Sequence, residues 1–142
     1  MVAGFLTPLR TEKVGPRRWL LTDDLVFRSE LYAGNFVVLR GFQTDFASIP
    51  RLFWVIAPKV DAYDAASVVH DAGYGHALYT EQLDRIHAVK HVADNLFLEG
   101  MLASGVPGWR ARLMYRMVSI FGDPVVHPLR QSAPILTGEL LV

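Results

Sequence analysis

The hydrophobic pattern of this chain changes period partway along, and that change limits the possible folds more than any other feature. From Phe5 to Phe42 the apolar residues come in short runs, Trp19-Leu20-Leu21, Leu25-Val26-Phe27 and Phe36-Val37-Val38-Leu39. Turn signals separate them at Gly15-Pro16, Thr22-Asp23-Asp24 and Gly34-Asn35, a punctuation that predicts a small antiparallel β meander. From Ser48 onward the signals are helical. Ser48 is read as an N-cap with Pro50 in the first turn, Leu52-Phe53-Trp54 as apolar surface and Pro58 as a stop. A second helix is expected from Asp61 to Ala77, and a third after Thr80, its N-cap, to about Ala103, where Gly105 and Pro107 end it. These two would form an antiparallel helix hairpin. A fourth helix is expected over Pro107–Phe121, with Trp109, Leu113, Met117 and Ile120 on one face, and Ile135–Val142 would add a strand or dock as an arm. The expected fold class is α+β, with the meander packed on a helical C-terminal half. One domain of 1–142 is expected, with a β-rich part (1–47), a helical part (48–122) and a C-terminal arm (123–142).

Composition removes several function classes. With 142 residues, 51% of them apolar, one compact core is affordable, whereas two domains would each be marginally small. Fourteen basic and fourteen acidic side chains cancel, so no net field gathers nucleic acid and none is expected as a partner. The absence of cysteine excludes a disulfide scaffold and a thiolate metal site. Apolar runs such as Leu52–Pro58 are too short to span a bilayer, and Met1–Leu9 lacks the form of a signal peptide. If the protein acts outside the cell, something else carries it there.

The chemistry concentrates at His70-Asp71-Ala72-Gly73-Tyr74, inside a run of small residues that includes Ala65, Ala66, Val68 and Val69. Imidazole and carboxylate are costly in an apolar helix unless paired, ion-bound or reactive. Successive helical residues are about 100° apart, so His70 and Tyr74 share a flank while Asp71 faces the neighbouring one. The small neighbours let a second helix approach closely. On the third helix Ile86, Val89, Ala93, Leu96 and Phe97 form the apolar stripe, and Asp94 falls at its boundary, placed to meet His70 and Asp71. Asp84, His87, His91 and Asp94 follow steps of three and four residues, and the His87-to-His91 spacing would suit a metal. The competing reading of that stripe is an exposed polar face. For His70 it is a satisfied core histidine, for Arg51 and Lys59 helix-end electrostatics, and Trp54 and Trp109 are read as core aromatics. Asp45, between Thr44 and Ser48 just before a helix start, is either a cap or a ligand.

Three segments carry a resemblance. Gly41-Phe42-Gln43-Thr44-Asp45-Phe46-Ala47-Ser48-Ile49-Pro50-Arg51-Leu52-Phe53-Trp54, Ala65-Ala66-Ser67-Val68-Val69-His70-Asp71 and Ala93-Asp94-Asn95-Leu96-Phe97-Leu98-Glu99-Gly100-Met101 resemble an uncharacterised domain-of-unknown-function family known mainly from tailed bacteriophage and prophage genomes. The resemblance implies a phage protein, made in the host bacterial cytoplasm and virion-associated, with other virion proteins or the bacterial envelope as partners. The stretch from Tyr74 to Ala93 is longer than the usual family spacing, so His76, Asp84, His87 and His91 are not carried over as site residues.

His70-Asp71-x-x-Tyr74 with Asp94 on the next helix is also similar to the core of type-two secreted phospholipases A. That similarity implies His70 as base activating a water, Tyr74 and Asp94 orienting the imidazole, and Asp71 as ligand of a divalent metal. Disulfides and the Tyr-x-Gly-x-Gly calcium loop of those enzymes are absent. The loop through Asp45, with Thr44 and Ser48 in support, is the candidate substitute, and calcium or zinc the candidate ion. Three functions follow: a metal-assisted hydrolase acting on lipid or cell wall when a phage enters or lyses its host, a non-enzymatic tail or capsid accessory held together by the same cluster, and a small host-directed binding protein.

Overall fold

A computed structural model describes residues 2–16, 18–44, 63–87 and 90–121. The first expected helix (48–58), with Arg51, Trp54 and Lys59, and the C-terminal arm lie outside the described residues, as do Asp45 and Ser48. The described strands are β1 (Gly4–Phe5), β2 (Thr11–Gly15), β3 (Arg18–Leu21), β4 (Leu25–Ser29), β5 (Gly34–Val38), β6 (Gln43–Thr44), β7 (Leu78–Tyr79) and β8 (Arg85–Ile86). The described helices are α1 (Asp64–Tyr74), α2 (Lys90–Ala103) and α3 (Gly108–Phe121). The fold is α+β, as the change of period predicts.

The β-rich part is two antiparallel sheets rather than one meander. One has the order β1-β4-β5-β7-β8 and the other β2-β3-β6. Leu21, Leu25, Phe27, Phe36, Val38 and Phe42 point inward and pack on Val68, Val69 and Ala72 of α1 and Leu96 of α2. The turn between β4 and β5 lies before Gly34-Asn35, not at it. Asn35 pairs with Arg28 in the ladder, and Ala33 takes the left-handed turn position at φ 52°.

The third helix begins at Lys90, nine residues later than its cap signal suggests, because Thr80 closes a hairpin instead of capping a helix. Its amide donates to the Asp84 carbonyl at 2.9 Å and its hydroxyl accepts from the Asp84 amide at 3.2 Å. The hairpin strand β7 extends the larger sheet, pairing Tyr79 with Val37. Burial of Leu78 and Tyr79 on that sheet outweighs a local N-cap preference.

α1 ends in a Schellman arrangement. The Ala77 amide donates to the Ala72 carbonyl at 2.7 Å and the His76 amide to Gly73 at 3.3 Å, with His76 in the left-handed position at φ 54°. α2 ends the same way at Gly105, φ 91°, with Val106 donating to Met101 at 3.0 Å. α1 and α2 run antiparallel and close. A Cβ placed on Gly73 would lie 2.7 Å from the Ala93 Cβ, and one on Gly100 would lie 3.1 Å from the Ala66 Cβ. α3 packs through Ala111, Met114 and Val118 on Ala66, Phe97 and Met101. The shared face of Trp109 and Ile120 is therefore not the one that packs inward: they are 61% and 69% exposed. Trp109 is not a core aromatic, because the small Ala111 and the unbranched Met114 allow α3 to approach on the other side.

Candidate functional site

The close approach of α1 and α2 brings a buried polar cluster together. His70 Nε2 lies 2.8 Å from Asp94 Oδ1, and Tyr74 Oη donates to that same oxygen at 2.6 Å. Lys90, one turn before Asp94, donates from Nζ to Oδ2 at 2.9 Å. The one-turn spacing of His70 and Tyr74 aims both at one acceptor, while the small residues beside them hold α2 within reach. Asp94 is not at the boundary of its apolar stripe; it is fully enclosed, at 2% exposure. The boundary expectation placed the stripe on α2 alone, whereas α1 covers its flank.

Burial by itself would push the Asp94 carboxyl up. Hydrogen bonds from His70, Tyr74 and Lys90, together with the charge of His70, outweigh that and hold it below the ordinary aspartate value. An ionised carboxylate only accepts, so His70 Nε2 carries a proton, and whenever the ring is neutral its lone pair is on Nδ1. The ring is flanked by Tyr74, with centroids 4.2 Å apart, and Phe97, at 5.0 Å. Two aromatic neighbours and a fixed acceptor restrict it to one orientation.

Asp71 faces the neighbouring flank of α1, as its helical angle predicts. Its Oδ2 accepts from Thr44 Oγ1 at 3.0 Å, and both residues are buried. Thr44 ends β6, so the strand brings its last residue to the Asp71 flank of α1. Thr44 and Asp71 thus meet, and His70, Tyr74 and Asp94 meet, as two clusters on adjacent faces of one helix. A calcium ion takes six to eight oxygen ligands. Thr44 and Asp71 alone do not make such a set.

The stripe of Asp84, His87, His91 and Asp94 does not exist as a helix face, since Asp84 and His87 precede α2. His87 and His91 are exposed, and the His87 ring instead lies 5.8 Å from that of His76. Among the described residues no three histidine or acidic side chains converge as a metal site.

Lys90 is the member of the cluster that the sequence reading missed. Besides Asp94 it donates to the Val118 carbonyl at 3.0 Å and the Ser119 carbonyl at 2.9 Å, closing the C-terminal turn of α3. Its four-residue spacing to Asp94 was a usable signal.

Fold and cluster together define an α+β protein built around a buried, hydrogen-bonded carboxylate, imidazole and phenol. The chain belongs to the family described as "Protein of unknown function (DUF1353)", which matches residues 19–118 and so takes in every member of both clusters. It is 40% identical over 84 residues to an uncharacterised protein, y4jT, of Sinorhizobium fredii (strain NBRC 101917 / NGR234). The match covers 58% of this chain and 22% of that protein, so the chain spans about a fifth of the relative's length. No solved structure matches significantly.

Proposed function

We propose that this chain is a phage-encoded hydrolase in which His70 acts as general base, on a lipid or cell-wall substrate of the bacterial envelope. The observation that carries the reading is the 2.8 Å contact of His70 Nε2 with a buried Asp94 that also accepts from Tyr74. Such a pair fixes the tautomer and supports the imidazolium formed when Nδ1 takes a proton. Nδ1 would remove a proton from water as the water oxygen attacks an ester or amide carbonyl carbon. The same proton would pass to the departing alkoxide or amine, restoring neutral His70. Tyr74 and Lys90 act through Asp94, holding it as an anion. Asp71, with Asp45 and with Thr44 and Ser48 in support, is the proposed anchor for calcium or zinc.

The test is a substrate panel of phospholipid vesicles and purified peptidoglycan, assayed with and without added calcium or zinc. Wild type should hydrolyse one class. His70→Gln should fold, by circular dichroism, and be inactive, and Asp71→Asn should lose any ion dependence. A folded wild type inert on the whole panel overturns the reading.

The 2% exposure of His70 favours a second reading, in which the cluster locks α1, α2 and α3 of a non-enzymatic virion component. The protein would then occur in stoichiometric amount in purified particles, and His70→Gln would change stability alone.

A further inference from the structure

We propose that the outward face of α3 is a docking surface for an anionic lipid bilayer. Counting about 100° per residue, Arg116 and Ile120 fall about 20° to either side of Trp109, and Arg112 about 60° to one side. The buried Ala111, Met114 and Val118 lie on the opposite side. The face is open to solvent: Trp109 is 61% and Ile120 69% exposed, and Arg112 and Arg116 are exposed between them. Leu102, 42% exposed, lies at the end of α2 just before the turn into α3.

Charge complementarity selects the occupant. α3 carries Arg110, Arg112 and Arg116 and no acidic residue, although the whole chain is neutral. Among the described residues no carboxylate forms an ion pair with any of the three. The Arg110 guanidinium instead sits 5.1 Å over the Trp109 ring. Trp109 and Ile120 are about 16 Å apart along the axis, so a helix lying flat can sink both while Arg112 and Arg116 meet phosphates between them. Indole, basic and aliphatic groups in this arrangement suit the headgroup boundary of a bilayer. A nucleic-acid backbone would reward the arginines but not the exposed Ile120. This surface stands apart from the His70 chemistry, because binding is read without turnover.

The full chain is tested by flotation with vesicles of phosphatidylcholine alone or mixed equally with phosphatidylglycerol, at low and high salt. Wild type should float with the mixed vesicles only, less so at high salt. Removing one basic group near such a surface weakens binding about fivefold, so the double variant Arg112→Gln/Arg116→Gln should lose about 25-fold. Trp109→Ser and Ile120→Ser should each weaken binding with the charge unchanged. All four positions are at the surface, and folding is checked by melting temperature. Absence of flotation by folded wild type, equal flotation with neutral vesicles, or full binding by the double variant overturns the proposal. So does binding to duplex DNA that Arg112→Gln/Arg116→Gln abolishes and Trp109→Ser leaves intact.

Discussion

Gly73 of α1 and Ala93 of α2 meet so closely that a Cβ on the glycine would stand 2.7 Å from the alanine Cβ. That contact sets the helix separation at which His70 reaches Asp94, one residue beyond Ala93. Gly73→Ala gains helix propensity but forces the helices apart against a backbone-mounted methyl group. The expected net loss is about 1–3 kcal/mol, the range for overpacking, read by denaturant unfolding. Gly100→Ala, opposite Ala66 at 3.1 Å, should cost less. Equal stability of Gly73→Ala and wild type would show that α1 and α2 adjust freely.

Asp94 makes stability depend on pH in a definite direction. Its folded-state value lies below the ordinary aspartate value of 3.8, so the unfolded chain takes up a proton first as pH falls. The stabilisation is present above that value and is lost as pH drops through the lowered one. At neutral pH Asp94→Asn should destabilise by about 3 kcal/mol, the scale of breaking a buried ion pair. The gap between wild type and Asp94→Asn should narrow as pH falls below about 4. A gap that stays constant across that window would mean Asp94 is not an anion in the folded state.

Local physics made part of this architecture readable. The small residues beside His70 predict a close helix pair, and the one-turn spacing of His70 and Tyr74 puts both on one flank. Gly105 marked the end of α2, where it takes φ 91°. The unread parts depend on distant contacts. Thr80 looks like an N-cap in isolation, and only the pairing of Tyr79 with Val37 turns its neighbourhood into a hairpin. Trp109 fits an apolar stripe as well as Met114 does, and which stripe turns inward is decided by Ala66, Phe97 and Met101. Asp94 was placed correctly toward α1 but not as enclosed, since α2 periodicity says nothing of what covers its flank.

Lys90 should couple the cluster to the end of α3. Replacing it with Met keeps the aliphatic stem and removes donors to Asp94 Oδ2 and to the Val118 and Ser119 carbonyls. With the Lys90 side chain 30% exposed, the expected loss is about 1–2 kcal/mol, around the lower end of the range for hydrogen bonds to charged groups. Hydrogen exchange followed by mass spectrometry should show faster exchange in the last turn of α3. Unchanged exchange there would mean the lysine contacts do not hold that turn.

Glu99 anchors the turn between β4 and β5 to α2. Its Oε1 accepts from Ser29 Oγ at 2.6 Å, and its Oε2 from the Glu30 and Leu31 amides at 2.7 and 3.0 Å. Ser29 Oγ in turn accepts from the Tyr32 amide at 3.0 Å. One carboxylate thus organises four donors of a turn whose Ala33 is left-handed. Glu99→Ala removes the acceptor for the buried Ser29 hydroxyl and two amides, and should cost about 2 kcal/mol, within the range for an unsatisfied buried group. Glu99→Gln retains one acceptor oxygen and should cost about half as much. The ordering of the two variants in urea unfolding is the decisive readout. If Gln proves as damaging as Ala, the charge rather than the acceptor geometry holds the turn.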